Sequence, residues 1–273
     1  MNQRYVGKTV VVTGGSAGLG WHLACAFAAE GARVYILARD ADRLNAAVER
    51  ASTTNPLYGV LVADVTSDEQ VDAAMLRVAQ ECGRLDVLVN AAGVSHRGAV
   101  VDTTPEQFQH LWELNFLGLV RCVRAAATHA ELLRRGTSIV NIGSLASKIA
   151  SPYLGAYPAS KFAVAAYSQQ LRMEWEPQGV HVLLACPGPL RRDDAGKRYD
   201  AIAADLPEAA RRPGGGAQLN LLDPQVFSRQ VVQACVDKRL ELVVPGKIRL
   251  LTALAQFFPR WADRTIRRKT TGT

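Results

Sequence analysis

Tyr157 and Lys161 stand four residues apart in Tyr157-Pro158-Ala159-Ser160-Lys161, and Ser144 closes the run Ile139-Val140-Asn141-Ile142-Gly143-Ser144 shortly before them. A phenol, an ammonium and a hydroxyl can together form a proton-transfer centre. Pro158 has a fixed φ that suits a first helical turn, so a helix starting there presents the phenol and the ammonium on one face, about one turn apart. A cation in that position stabilises phenolate. Free tyrosine titrates at roughly 10, so a proton donor working near neutrality needs about 4 kcal/mol of such stabilisation. Lys161 is a source of part of it, and Ser144, at the end of a strand expected to be buried, can hold a carbonyl oxygen beside the Tyr157 hydroxyl and polarise it. Tyr and Lys at this spacing also occur on ordinary helices, so the surrounding elements decide what the spacing means.

Short β-branched runs alternate with longer helical patterns along the chain. The strands are expected at 9–13, 33–37, 57–62, 85–89, 138–142, 180–184 and 240–244, with helices near 18–30, 40–54, 67–82, 105–135, 157–176 and 223–238. Strand-helix alternation of this kind builds right-handed crossovers and a parallel sheet covered on both faces. The fold class is therefore α/β: a doubly wound Rossmann fold with a seven-stranded parallel sheet. Residues 1–273 read as a single domain. Residues 187–222, rich in Pro, Gly, Arg and Asp and containing Pro213-Gly214-Gly215-Gly216, read as a lid loop leaving the carboxyl end of a strand, where ligands bind in such sheets.

Composition excludes several classes. The chain is 48% hydrophobic, enough for a large core, so disorder is excluded. Its five cysteines, Cys25, Cys82, Cys122, Cys186 and Cys235, are widely spaced, which suggests neither a disulfide framework nor a zinc module, and no metal is expected. That usage, with a start that lacks an apolar leader and with no run of membrane-spanning length, points to the cytoplasm. The net charge of +7 comes without an aromatic-interleaved basic face, so no nucleic-acid partner is expected.

Thr13-Gly14-Gly15-Ser16-Ala17-Gly18-Leu19-Gly20 follows the first strand and opens the first helix. In that context Gly14 permits a tight turn, Gly18 lets backbone approach a pyrophosphate, and Gly20 allows close helix-sheet packing. Here the chain resembles the short-chain dehydrogenase/reductase family, in its branch of single-domain oxidoreductases of about 250 residues, over residues 6–245. The family's Thr-Gly-x3-Gly-x-Gly is matched from Thr13 to Gly20, and its Asn-Asn-Ala-Gly appears as Asn90-Ala91-Ala92-Gly93, departing at the second position. The resemblance implies that Gly14, Ser16, Ala17, Gly18, Leu19, Gly20, Asp64, Val65, Asn90, Ala91 and Gly93 bind the dinucleotide, with Asp64 at the adenine ring, and that Pro187 and Gly188 shape the turn after the sixth strand. It also implies a catalytic tetrad of Asn115, Ser144, Tyr157 and Lys161, in which Asn115 holds a water for a proton relay and Lys161 also holds the nicotinamide ribose.

Cofactor choice is read where the second strand ends, because an acidic side chain there binds the ribose 2′-hydroxyl and repels a 2′-phosphate. Ala38 stands where the family's NAD users carry Asp, and Arg39 follows with a guanidinium suited to a phosphate, so NADP(H) is expected over NAD(H). Ser16 can add a hydrogen bond to the same phosphate; Arg39 can alternatively stack on adenine or pair with Asp40 or Asp42. Arg192 stands where the family carries the threonine that meets the nicotinamide carboxamide, which leaves Arg191 and Arg192 to face an anionic group or to remain solvated.

Expected substrate contacts are Ser144, Leu145, Tyr153 and Tyr157, with Ala146, Ser147, Val94, Ser95 and His96 nearby and His96 at the rim. Residues 246–273 read as a C-terminal helical extension, apolar at helical spacing and basic at its finish: a cover for the cleft, an oligomer contact, or a peripheral membrane anchor. The reading is an NADP(H)-dependent oxidoreductase that moves hydride between nicotinamide and a carbonyl or secondary alcohol on a small molecule. The resemblance hints at a hydrophobic, lipid-, steroid- or retinoid-like substrate and at a homodimer or homotetramer. A catalytically silent NADP(H)-sensing protein is the alternative.

Overall fold

The computed structural model describes residues 3–51, 56–129, 132–191, 206–207, 210 and 219–270. Seven parallel strands lie in the order β3-β2-β1-β4-β5-β6-β7. They are β1 (Thr9–Thr13), β2 (Arg33–Ala38), β3 (Gly59–Val62), β4 (Val87–Asn90), β5 (Ser138–Ile142), β6 (His181–Pro187) and β7 (Glu241–Val244). The expected fold class is thus the observed one. Because the chain starts at mid-sheet and winds outward in both directions, a crevice opens between the carboxyl ends of β1 and β4.

Side chains alternate across the strands, and both faces are covered. Val11, Tyr35, Leu37 and Leu88 enter one buried cluster with residues of α3 (Asp68–Cys82), α5 (Gly118–Thr128) and α6 (Tyr157–Trp175). Val10, Val12, Ile36 and Val89 enter the other, with α1 (Gly18–Ala29), α2 (Ala41–Glu49) and α7 (Pro224–Val236). Burial on both faces explains why these strands read as continuous apolar runs.

Two expected helices are corrected. The helix foreseen over 40–54 runs only from Ala41 to Glu49 behind an Asp40 cap, whose side chain accepts from Arg43 N. The helix foreseen over 105–135 is α4 (Pro105–Trp112), capped by Thr104 and Gln107, then a π turn at Glu113–Leu117, then α5 as far as Thr128. The inserted residue of a π turn re-aims the side chains within it, and this one buries Asn115. Beyond β7 the extension forms α8 (Ile248–Phe257) and α9 (Pro259–Thr270). Most of the 187–222 loop, Arg192 included, lies outside the described residues. Its two ends are tied together, Leu222 N to Pro189 O at 2.8 Å and Arg191 N to Leu222 O at 2.8 Å.

A buried polar chain holds the sheet to its helix beneath the site. Asn90 pairs in register with Asn141 and donates to its Oδ1 at 2.9 Å, and Asn141 Nδ2 donates to Ser168 Oγ of α6 at 2.9 Å. Ser168 in turn donates to Val164 O at 2.6 Å. Removing one member leaves the others desolvated without partners. Asn141→Leu is therefore expected to destabilise the protein by about 2 kcal/mol or more, read from the urea midpoint; an unchanged midpoint would show the chain to be dispensable.

Candidate active site

The glycine turn after β1 divides its work among three positions. Gly14 has φ +66°, and a Cβ there would lie 2.8 Å from Ala92 Cα, so the β1 and β4 loops touch backbone to backbone. A Cβ on Gly20 would run into the Gly14 carbonyl, which sets the close approach of α1 to the turn. Gly18, at φ +54°, faces open space instead. That exposed backbone at a helix N-terminus fits an approaching anion such as a pyrophosphate. Ala17 is the extended N-cap residue of α1 and offers no side-chain cap, so the first N–H groups of the helix remain available to a ligand. Ser16 is half-buried in the turn, and Leu19 packs on the core. The crevice is fastened by Thr13, whose Oγ1 accepts from Ala91 N at 3.0 Å and Ala92 N at 3.1 Å. Asn90 turns its side chain into the polar chain under the sheet, so what it can offer a ligand is backbone.

A cleft of about 380 Å³ is lined by Arg39, Asp64, Thr66, Glu113 and Leu114 among others. Burial raises the Asp64 pKa, but hydrogen bonds from Thr66 N and Oγ1 and the charges of Arg39 and Arg121 outweigh it and hold the carboxyl below its ordinary value. Val65 packs against Gly118, where a Cβ would lie 2.8 Å from Val65 Cγ2. Arg39 is exposed, and among the described residues it makes no hydrogen bond or ion pair. Asp40 instead caps α2.

The residues expected to transfer a proton come together at the carboxyl end of β5. Tyr157 opens α6, one turn before Lys161, as the Pro158 signal foretold. Lys161 is 6% exposed, donates to Ile142 O at 2.9 Å, and places its ammonium 5.9 Å from the centre of the Tyr157 ring. Burial pushes its pKa down to about 8. Two residues beyond Ile142, Ser144 caps a short turn at Leu145–Ser147; its Oγ accepts from Ala146 N at 3.1 Å, while Ser144 N donates to Ser147 Oγ at 3.1 Å. The acceptor side of the Ser144 hydroxyl is thus engaged, and its proton can be donated outward.

Asn115 does more positioning than the sequence suggested. Its Oδ1 accepts from Val94 N at 2.8 Å, and its Nδ2 donates to Val94 O at 2.9 Å and Ser160 Oγ at 3.0 Å. Both amide hydrogens are taken, so the side chain clamps the loop after β4 onto α6. Gly93 lies between: a Cβ there would sit 2.8 Å from Asn115 Oδ1 and 3.7 Å from Lys161 Nζ. Ser160, overlooked in the sequence, also donates to Tyr157 O at 2.8 Å. The signal was its place three residues after Tyr157 as a small hydroxyl inside a helix, where it bonds back to the preceding turn.

On the substrate side, Leu145 and Pro245 both border Gly188, at 3.5 and 3.4 Å from where its Cβ would be, and Gly188 N donates to Val244 O at 2.7 Å. Pro187 ends β6. Tyr153, with φ +60°, accepts from Gly98 N through its carbonyl at 3.2 Å, joining the 98 and 153 loops. His96 lies against Gly155, and burial, with Arg97 beside it, lowers its pKa below the ordinary value.

Residues 8–201 match the sequence pattern of the short chain dehydrogenase family. The chain belongs to the short-chain dehydrogenase/reductase family. It is 33% identical over 248 residues to dehydrogenase/reductase SDR family member 7B of Danio rerio, covering 88% of this chain and 77% of that one. A probable short-chain type dehydrogenase/reductase, VdlC of Helicobacter pylori, is 29% identical over 94% of this chain and 96% of its own length. Among solved structures, a Burkholderia cenocepacia short chain dehydrogenase in complex with NADP superposes with a TM-score of 0.74 at 28% identity, over 89% of this chain and 98% of that one. L-sorbose reductase from Gluconobacter frateurii, complexed with NADPH and L-sorbose, gives 0.77 at 25% identity, over 90% and 98%. Membership of the family makes the chain an oxidoreductase.

Lys161 carries a pH signature. Its folded pKa of about 8 lies below the 10.5 of a free lysine, so between those values the unfolded chain binds more protons and stability rises with pH. Below pH 8 the buried charge costs the fold about 3 kcal/mol. Denaturation of the cofactor-free protein is expected to show that gain between about pH 8 and 10.5, the window set by the two values, and Lys161→Met is expected to be more stable than the parent at neutral pH and to lose the gain.

Proposed function

We propose that the protein is an NADP(H)-dependent oxidoreductase that interconverts a carbonyl and a secondary alcohol on a hydrophobic small molecule of lipid-, steroid- or retinoid-like character. The observation that carries this reading is the convergence of Tyr157, Lys161 and Ser144 at the end of β5, beside the open glycine cradle after β1.

A bound nicotinamide supplies or accepts the hydride. The proton is the business of this chain's own residues. In reduction, Tyr157 gives its phenolic proton to the substrate oxygen, and Ser144, its Oγ already accepting from Ala146 N, donates to the same oxygen and polarises it. The ammonium of Lys161 favours the phenolate left behind, strongly so because it lies in a buried site where water screens little. Asn115 keeps the loop after β4 closed against Ser160 and hence against α6, holding Tyr157 and Lys161 in register. As the family resemblance implies, a water near Asn115 would return the proton from solvent. In oxidation the same groups act in reverse, with Tyr157 as base.

NADP(H) rather than NAD(H) is supported by Ala38 and by Arg39, whose guanidinium is exposed and unpaired among the described residues while Asp40 is engaged as a helix cap. Gly14, Ser16, Ala17, Gly18, Leu19 and Gly20 would cradle the phosphates, with Asp64 and Val65 at the adenine end and Asn90, Ala91, Gly93, Pro187 and Gly188 bordering the nicotinamide half. Leu145 and Tyr153 would face the substrate, and homo-oligomers are proposed.

A panel of ketones and alcohols assayed with NADPH and NADH tests the reading. Tyr157→Phe is expected to cut turnover by about a hundredfold or more while cofactor binding persists; undiminished turnover would remove Tyr157 from the proton path. Arg39→Ala is expected to weaken NADPH binding by about tenfold and to leave NADH nearly unchanged, as read by fluorescence titration; equal losses would refute the phosphate role.

A further inference from the structure

The positive charge of this chain is concentrated at one end. Residues 246–273 hold seven lysines and arginines against a single acid, Asp263, a net +6 out of the +7 of the whole chain. The remaining 245 residues are almost neutral. The same end carries exposed apolar side chains at helical spacing. On α8, Ile248 packs on the core, while Leu250 and Phe257 are 67% and 78% exposed and lie with exposed Ala253 on one face. Phe258 and Trp261, at the break between the helices and in the first turn of α9, are 60% and 46% exposed, while Ala262 is buried. Arg249, Arg260, Arg264 and Arg268 are exposed too, and Arg264 and Arg268, three and seven residues after Trp261, share its side of α9.

We propose that α8 and α9 form a docking surface for an anionic lipid bilayer, lying in the headgroup region with Leu250, Phe257, Phe258 and Trp261 directed into the acyl boundary. Exposed aromatic and aliphatic side chains next to arginines are what an interfacial segment needs, because the apolar part is removed from water while the long arginine side chains keep their charged heads among phosphates. Among the described residues no helix is long and apolar enough to cross a membrane, so the contact is peripheral. Charge selects the occupant: a second copy of this chain docking through the same face would set +6 against +6, whereas an anionic leaflet contributes about 1 kcal/mol, or roughly fivefold, for each basic residue brought near it. Position supplies the use. Pro245, immediately before the extension, borders Gly188, which Leu145, the neighbour of Ser144, also borders, so the docking helices spring from the edge of the proposed catalytic cleft and bring it to the surface where hydrophobic carbonyl compounds reside.

Flotation with vesicles of equal parts phosphatidylcholine and phosphatidylglycerol, compared with phosphatidylcholine alone, tests the proposal. The protein is expected to float with the anionic vesicles, to be released by salt, and to show a blue shift of tryptophan emission that Trp261→Ser removes. Combined Arg260→Gln, Arg264→Gln and Arg268→Gln is expected to weaken binding about a hundredfold, and Phe257→Ser with Trp261→Ser to abolish it, circular dichroism of each variant remaining that of the parent. No flotation with anionic vesicles, binding unaffected by these substitutions, retention by an acidic polypeptide without flotation, or a dimer that Phe257→Ser and Trp261→Ser dissociate would each overturn it. Binding is read without turnover, so its failure leaves the oxidoreductase reading standing, and loss of turnover leaves the docking surface standing.

Discussion

A lysine ammonium has to stay charged in a place from which water is largely removed, and the architecture around the site is arranged to meet that demand. Lys161 reaches the carboxyl end of β5, where the Ile142 carbonyl accepts its hydrogen bond. Desolvation still lowers its pKa to about 8, so the charge is held at a cost to the fold. Such a cost is characteristic of functional sites, since the same desolvation that weakens the ammonium strengthens its field on a neighbouring phenol. The strand end that supplies the lysine's acceptor also supplies Ser144 two residues later, which ties the cation and the polarising hydroxyl to one rigid element.

That rigidity is built inward from the crevice. The turns after β1 and β4 press against each other at Gly14 and Ala92 and are bolted by the Thr13 hydroxyl. From there Gly93 threads between Asn115 and Lys161, and the Asn115 amide fastens the loop to Ser160. One layer below, Asn90, Asn141 and Ser168 tie β4, β5 and α6 together. The glycine turn and Tyr157 are therefore linked through Thr13, the backbone of residues 91–94, Asn115 and Ser160. The π turn that buries Asn115 belongs to the same device: an unbroken α-helix would not turn that amide toward Val94 and Ser160 together.

The parts that would choose a substrate are of a different kind. They hang from strand ends as loops and an appended helix pair, held by a few backbone bonds such as Gly188 N to Val244 O and Leu222 N to Pro189 O. A conserved chemistry on rigid elements with variable loops around it is the usual division of labour in doubly wound folds.

Much of this was legible along the chain, because parallel strands buried on two faces must be apolar throughout and must alternate with helices, and because a glycine turn between strand and helix has a narrow range of uses. Tyr157, Pro158 and Lys161 declare their geometry through helical spacing alone. What the chain could not declare are relations between residues far apart in it. Nothing local shows that Asn90 meets Asn141, that Asn115 clasps Val94 and Ser160, or that an expected helix is interrupted by a π turn, since each depends on which strand lies beside which. Local spacing names the reactive groups; burial and partners, which set the charge on Lys161 and the side from which Ser144 donates its proton, exist only once the sheet has closed around them.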